Sequence, residues 1–516
     1  MSNEVIAVPI ETELDAMFGQ YIAAEQAPGL VYGLVGPDGL RHTRGFGRRD
    51  DSGEVPDLDT IFPIASMSKS FSACAALIAR DRGLLSLHDP IDKWVPEFRL
   101  SQAGPKSDGI PTVEMLLSMS GGLTEDNSWV DPFINLPMEV LLGIVEAGVR
   151  LSRPPGSAFE YSNLGYEMGC LAVSRAVGKP IEAFVQEEVL RPLGMSSTFA
   201  DKLVPHGVTR AAGHSLDLDG NWVPFPVQKS DAFSGAGGLV STVRDLARWI
   251  TWLGGAFRPE EDDDDIVLSR MSRREMQRIH SAVAPTLIVG PTGAIDAGTS
   301  GYGLGLVVQE DLQRGTYVHH SGGLPGFLLH MRWHPQSGNG MVVLTNSHRG
   351  NPIALAADAL GHALARDHVP SGIVRLWRET AALCAKTDSL IRDWSEVLAA
   401  EVFADNVDFD RPVTERRKEI EALVEEVGPL LPPREEPEII SAITPADVTW
   451  SIPGQNGELI CMIHLTPVEP AQVQEIVVQA SSRSQPRATR PIDISPRRAP
   501  WGDAFISAQT NVEVRF

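Results

Sequence analysis

Ser66 and Lys69 stand three residues apart at the head of an apolar run, a spacing that puts them on one helix face and turns an ammonium group towards a hydroxyl. A serine hydroxyl is a poor nucleophile until a base takes its proton. A lysine can be that base when burial or nearby positive charge lowers its pKa. Taken alone, such a pair reads more simply as an N-capping serine followed by an exposed lysine. Two further segments change that balance. Tyr161-Ser162-Asn163 offers a phenol and an amide, and His320-Ser321-Gly322 closes a strand-like run. Nucleophile, proton carriers and a glycine-bearing strand end together suit acyl transfer through a covalent serine intermediate.

The elements that must position these groups follow from hydrophobic period and turn residues. Residues 12–25 read as a helix, and GLVYGLVGPDGLRHTRGFG alternates around Pro37-Asp38-Gly39 as a hairpin does. Residues 66–82 carry apolar Cys74, Leu77 and Ile78 at helical spacing, with Gly83 as the stop, so Ser66 falls at or just before a helix start. From 85 to 290 the pattern is mostly helical, with Thr242 and Asp245 spaced as a capping box. Short apolar strands are expected at 303–309, 315–320, 327–333 and 340–346. The expectation is an antiparallel sheet drawn from both ends of residues 1–370, with helices inserted between.

Beyond 371 the texture changes. Leu390, Ile391, Trp394 and Leu398 make one helical stripe, and Ile420, Leu423, Val424 and Val427 another. LPPREEP reads as a linker, Asn456-Gly457 as a hairpin turn, and 481–500 as irregular loop. Residues 371–516 are therefore expected to form a separate small α+β domain.

With their flanks, the three chemical segments become specific. FPIAS precedes Lys69, PPGSAFEYSN carries Tyr161, and HHSGG carries His320. They are joined in order by LLSMSGGL, GAGGLVSTVRDLARW, YGLGL and PGFLLHMRWHPQSGNGMVVLTN. Over about residues 10–365 this resembles the serine β-lactamase and penicillin-binding-protein superfamily. More narrowly, it resembles the class C-like branch with His-Ser-Gly in place of Lys-Thr-Gly, which includes D-aminopeptidases, esterases and related serine peptidases. The resemblance implies an α+β, β-lactamase-like antiparallel sheet flanked by helices. It implies Ser66 as nucleophile, with Lys69 and Tyr161 handling its proton and the acylation base left open between them. Asn163 would bond Lys69 or the substrate, and the backbone N–H groups of Ser66 and Gly323 would hold the oxyanion. His320, Ser321, Gly322 and Gly323 would contact substrate, the glycines letting it approach the strand backbone. A histidine is largely neutral near pH 7, so His320 weakens recognition of substrate carboxylates compared with lysine. A structural role for His320, bonding Tyr161 or a backbone carbonyl, is the equal alternative.

The leading expectation is therefore an enzyme that hydrolyses a peptide or amide. An esterase or acyltransferase is the alternative on the same site, and a non-catalytic binding or sensor protein the alternative of another class. Asp and Glu outnumber Lys and Arg by 67 to 44, and the net charge of -23 argues against nucleic acid and anionic membrane partners. No apolar run reaches the ~20 residues of a membrane span, and the acidic start lacks secretory-signal character, so a cytoplasmic location is expected. Cys74, Cys170, Cys384 and Cys461 read as isolated buried thiols. No cofactor is expected, and no metal at His319, His320, His330, His334 and His348, because no local carboxylate or cysteine completes a zinc set. The run 260–265 reads as a solvated acidic loop and Gly301-Tyr302-Gly303-Leu304-Gly305 as a strand entry rather than a nucleotide loop. A small-molecule or peptide substrate is the expected partner, with homo-oligomerisation left open.

Overall fold

Every residue of Gly29–Gly36, Phe327–His334 and Asn339–Thr345 is buried, the burial of strands covered on both faces. The computed structural model describes residues 8–101, 109–226, 229–258, 266–289, 295–311, 314–367, 376–433 and 437–482. The acidic run 260–265 and almost all of 481–500 lie outside these residues. Contacts divide the chain into two compact units, of which the second is Pro370–Ser495.

The first unit is built on strands β1 (Gly29–Gly36), β2 (Gly39–Gly47), β3 (Ser281–Val289), β4 (Ile295–Tyr302), β5 (Val307–Asp311), β6 (Gly315–Leu324), β7 (Phe327–His334) and β8 (Asn339–Thr345). They form one antiparallel sheet in the order β2-β1-β8-β7-β6-β5-β4-β3. The join between the chain's early and late strands is β1 against β8, with Leu30 opposite Thr345. The helices that matter most are α1 (Ile10–Ala23), α2 (Ser68–Asp81), α3 (Asn163–Val177), α4 (Val243–Gly255) and α5 (Pro352–Arg366). Alternate strand residues sort the core into two layers. Leu30, Leu34, Met341 and Val343 pack with Leu14 and Phe18 of α1 and Leu360 and Leu364 of α5. Val31, Val35, Val342 and Leu344 join the larger core with α2, α3 and α4. Truncating Leu360 to alanine would cost about 2–5 kcal/mol in such a layer.

Helix α2 is buried without a break from Ser68 to Ala79, so it is the central strut of the helical layer. Its end matches the expected glycine stop. Gly83 takes φ +71°, its N–H reaches Arg80 O, and the Leu84 N–H reaches Ala79 O. Thr242 caps α4 by accepting the Asp245 N–H at 3.2 Å. The reciprocal bond of a capping box is replaced, because the Asp245 carboxylate reaches across to Ser197 N and Thr198 Oγ1.

Three local expectations change. The 303–309 strand begins only at Val307, because Gly305 turns with φ +69° to let the chain pass the Lys69 carbonyl. The hairpin β3–β4 lies within and just after a stretch read as helical. In the second unit, the stripe from Leu390 to Leu398 is split between helices Arg378–Arg392 and Glu396–Val402, with Ser395 capping the second.

The second unit closes on a four-stranded antiparallel sheet, β9 (Glu438–Ser441), β10 (Asp447–Pro453), β11 (Gly457–Leu465) and β12 (Val473–Ser482), in sequential order. Leu390, Ile391, Ile420 and Val427 share its core with Trp450, Ile452, Cys461 and Ile463. The β10–β11 turn has Gln455-Asn456 at its tip, one residue before the expected pair, since Gly454 N–H donates to Gly457 O at 2.9 Å. All four cysteines are buried free thiols.

Candidate active site

Ser66 lies in a single 3₁₀ turn, Ala65–Met67, that feeds directly into α2. Ala65 has φ +47°, a left-handed backbone that costs a non-glycine residue on the order of 1 kcal/mol. The turn is braced on one side by Ile64 N–H bonding Leu239 O. On the other it meets β6, where a Cβ on Gly322 would fall 2.3 Å from Ile64 O. Gly322 is thus required by the packing of the Ser66 turn itself.

Lys69 is fully buried in the first turn of α2. Its Nζ donates to Asn163 Oδ1 at 2.7 Å, to Ala236 O at 2.9 Å and to Ser66 Oγ at 3.1 Å. The first two are carbonyl oxygens and can only accept, so they hold two N–H bonds in place. The remaining tetrahedral position faces Ser66, and an unprotonated amine would present its lone pair there. Burial pushes the Lys69 pKa down to about 8, against the pull of Asp126, Cys170, Glu167 and Asp131. The Lys69 backbone is fixed too, its carbonyl accepting from Tyr166 Oη at 2.7 Å.

Tyr161 completes the group around Ser66. Its phenol is within hydrogen-bonding influence of the Ser66 side chain, and Lys69 Nζ lies 5.1 Å from its ring centroid. Burial raises its pKa far above the usual phenol range, so the ring is protonated at rest.

Asn163 is oriented by two residues that local sequence patterns left unmarked. Its Nδ2 donates to Asn127 Oδ1 at 2.8 Å and to Asp126 Oδ1 at 3.2 Å, which leaves its Oδ1 for Lys69. Asp126 also accepts from Ser162 Oγ and from the N–H groups of Asn163 and Leu164. One carboxylate therefore caps α3 and sets the amide that grips Lys69.

On β6, pairing with β5 ends at His319, while pairing with β7 continues to Leu324. Residues 320–324 accordingly have a strand partner on one edge only, and this stretch meets the Ser66 turn at Gly322. His320 points to the site side, with its ring 6.5 Å from that of Tyr161. Its Nδ1 is 2.6 Å from Ser321 O and its Nε2 2.8 Å from Tyr302 Oη. Its ring nitrogens thus meet a backbone carbonyl, as one expectation had it, and Tyr302 rather than Tyr161. Burial pushes its pKa down to about 3, so the ring is neutral. Ser321 turns the other way, its Oγ 3.0 Å from His330 Nδ1. Its hydroxyl is not brought to Ser66. Gly323 follows on the free edge, opposite Leu328 of β7. Among the described residues no group of three or more His, Cys, Asp or Glu side chains could hold a metal ion.

The sequence profile of the family described as Beta-lactamase matches residues 14–366. The chain belongs to the Beta-lactamase family. It is similar to Penicillin-binding protein 4* of Bacillus subtilis (strain 168), 25% identical over 331 residues that cover 61% of this chain and 67% of the relative. It is also similar to D-alanyl-D-alanine-carboxypeptidase/endopeptidase AmpH of Escherichia coli (strain K12), 27% identical over 330 residues, 61% of this chain and 79% of that protein. The match to Protein flp of Staphylococcus aureus (strain N315), at 24% identity, spans 63% of that protein's length, just under two thirds. Among solved structures, the octameric penicillin-binding protein homologue from Pyrococcus abyssi superposes with a TM-score of 0.59 at 20% identity. That superposition covers 90% of this chain and 99% of the other and supports the fold alone. A Beta-lactamase family member with such relatives is a serine hydrolase, and its fold is α+β. No helix among the described residues is long and apolar enough to cross a membrane.

Proposed function

We propose that the chain hydrolyses a peptide or amide bond through an acyl-enzyme on Ser66, with Lys69 as the base that activates it and Tyr161 as the acid that frees the leaving group. The observation that carries this reading is the three-way bonding of Lys69 Nζ, which spends two positions on carbonyl acceptors and turns the third to Ser66 Oγ. With its pKa near 8, a useful fraction of Lys69 is amine at neutral pH, whereas Tyr161 is held as phenol. Lys69 takes the Ser66 proton as Oγ bonds the carbonyl carbon. The oxyanion that forms is received by the backbone N–H groups of Ser66 and Gly323, as the family resemblance implies. Tyr161 gives its proton to the departing nitrogen, the C–N bond breaks, and the Lys69 ammonium returns a proton to the phenolate. Water then attacks the ester with its proton passing to the same pair, and Ser66 leaves protonated.

Substrate class follows from His320. A neutral imidazole with both nitrogens engaged offers no cation and no free donor for a substrate carboxylate. Bonds within a peptide, or amides without a free carboxylate beside the scissile bond, fit better than a C-terminal D-Ala-D-Ala dipeptide. The endopeptidase half of the AmpH name is the closer parallel. A panel of aminoacyl and peptidyl nitroanilides in L and D forms, set beside p-nitrophenyl esters, separates amidase from esterase. Turnover of esters alone would replace the amide reading, and turnover by Ser66→Ala would remove the acyl-enzyme.

A further inference from the structure

Asn163 and Glu167 are four residues apart on α3 and share one face of it. Asn163 meets Lys69 directly. Glu167 meets it through a single residue, Ala236. Glu167 Oε2 accepts the Ala236 N–H at 2.9 Å, and the Ala236 carbonyl accepts from Lys69 Nζ, also at 2.9 Å. The Gly235 carbonyl of the same turn accepts from Ser72 Oγ at 2.7 Å. Gly235 is a close approach, since a Cβ there would fall 2.6 Å from Cys170 Cβ and 3.2 Å from Glu167 Oε1. The turn Ser234–Gly237 is thus clamped between α2 and α3, with a carboxyl on its amide side and the lysine on its carbonyl side.

Glu167 is 1% exposed and makes no ion pair among the described residues. Burying a carboxyl without a cation beside it is costly, and its neighbours Met168, Cys170 and Val173 show that an apolar residue would suit the helix. What distinguishes the position is its bond to the Ala236 amide, whose carbonyl receives Lys69.

We propose that Glu167 is a positioning residue for Lys69: seated on the Ala236 amide, its carboxyl fixes the carbonyl that receives the lysine and governs how readily that lysine gives up its proton. This rests on the acyl-enzyme reading above and adds the regulation of its base. Burial pushes the Glu167 carboxyl up and the Lys69 ammonium down, and each charge favours the other. Ionised Glu167 holds Lys69 as ammonium, and protonated Glu167 releases it as amine. The other groups facing Lys69 are Asp126 and Asp131 from the segment before α3, Cys170, the phenols Tyr161 and Tyr166, and His320 from β6. Facing Glu167 from the helix Ile181–Val185 is Glu182, itself paired with Lys202.

The test is the pH dependence of Ser66 labelling by a fluorophosphonate, followed by mass spectrometry on the full chain. Glu167→Gln should move the alkaline rise in labelling rate downwards by about half a pH unit or more, since it removes a charge that keeps Lys69 protonated. Glu182→Gln should move it upwards, because Glu167 then ionises more easily and holds Lys69 charged to higher pH. Opposite shifts at parent melting temperature are what a merely structural carboxyl would not give. Unmoved midpoints, or a downward shift in Glu182→Gln, overturn the proposal. Should Glu167→Gln fail to fold, the sign in Glu182→Gln decides alone. Absence of any Ser66 adduct in the parent refutes the acyl-enzyme reading together with this one, whereas a labelled parent with unmoved variants refutes only this one.

Discussion

Tyr302 Oη stands 2.8 Å from His320 Nε2, and the proton on that contact belongs to the tyrosine. The Ser321 carbonyl at the other nitrogen can only accept, so Nδ1 carries the imidazole hydrogen and Nε2 is the bare acceptor. The Ser321 carbonyl therefore fixes the His320 tautomer, and Tyr302 helps hold the ring in one orientation beside Tyr161. Tyr302→Phe would leave a buried nitrogen unpaired, at about 1–3 kcal/mol of stability. The same change should move the nitrogen NMR shift of His320 Nε2, while Nδ1 keeps its hydrogen and its bond to the Ser321 carbonyl. Unchanged shifts in the folded variant would show that Tyr302 does not control the ring.

Asp126 makes a second prediction. Its two oxygens accept from Ser162, Asn163 and Leu164, a load that an amide cannot carry in full. In Asp126→Asn the new NH₂ group faces donors, so Asn163 loses the partner that turns its Oδ1 to Lys69. The expected result is a folded protein whose kcat falls about 10–100-fold with KM little changed, a loss of ~1.4–2.7 kcal/mol in transition-state stabilisation. A kcat within twofold of the parent would show that Asn127 alone suffices to aim the amide.

Gly305 tests the floor beneath the lysine. At φ +69° an added Cβ would lie 2.5 Å from Lys69 O and 2.8 Å from Tyr166 Oη. Gly305→Ala thus adds about 1 kcal/mol of backbone strain to a clash with the carbonyl that anchors Lys69. Both melting temperature and kcat should fall. A variant with full activity would mean that the strand entry can shift without moving α2.

What could be read from sequence was what short-range geometry controls. The i, i+3 relation of Ser66 and Lys69 survives in the structure because both lie where a 3₁₀ turn runs into a helix. The apolar runs 327–333 and 340–346 read as strands because both faces of β7 and β8 are covered. Asp126, Glu167 and Tyr302 were not legible. Each acts across the fold, Asp126 on a residue 37 positions away and Tyr302 on one 18 positions away, and neither distance leaves a periodic trace. The hairpin β3–β4 was missed because its segment mixes glycine, proline and small residues without a clean period of two. For Ser321 the motif alone does not say which way the side chain turns, and alternation along β6 sends its hydroxyl to His330.

The catalytic assignment carries its own pH signature. If the amine form of Lys69 is the base, kcat/KM should rise about tenfold per pH unit on the acid side of its pKa and level off above about 8. No alkaline fall from Tyr161 should follow in the accessible range, since burial keeps its phenol protonated. Lys69→Arg, which cannot give up its proton, should remove both the activity and the limb. A profile centred near pH 6.5 instead would point to a histidine and away from Lys69.

Behind β6 lies a pH-dependent element of stability that should be separable from catalysis. His319 and His330 are fully buried, their rings 5.3 Å apart, with buried Arg332 paired opposite His319. Burial and the guanidinium hold both histidines well below the usual imidazole range. A depressed pKa means that the unfolded chain takes up a proton near pH 6.5 that the folded chain refuses, so each contributes stability above that pH and loses it below. The parent's own curve hides this, because Asp131, raised to about 7, and Glu167, raised to about 8, act with the opposite sign. The difference between parent and His319→Gln isolates one proton. At pH 7 the variant should be the less stable, and below about pH 6.5 the gap should close by about 1.4 kcal/mol per pH unit. Urea unfolding of both proteins at several pH values measures it, and a gap independent of pH would mean that His319 already carries its proton in the folded chain.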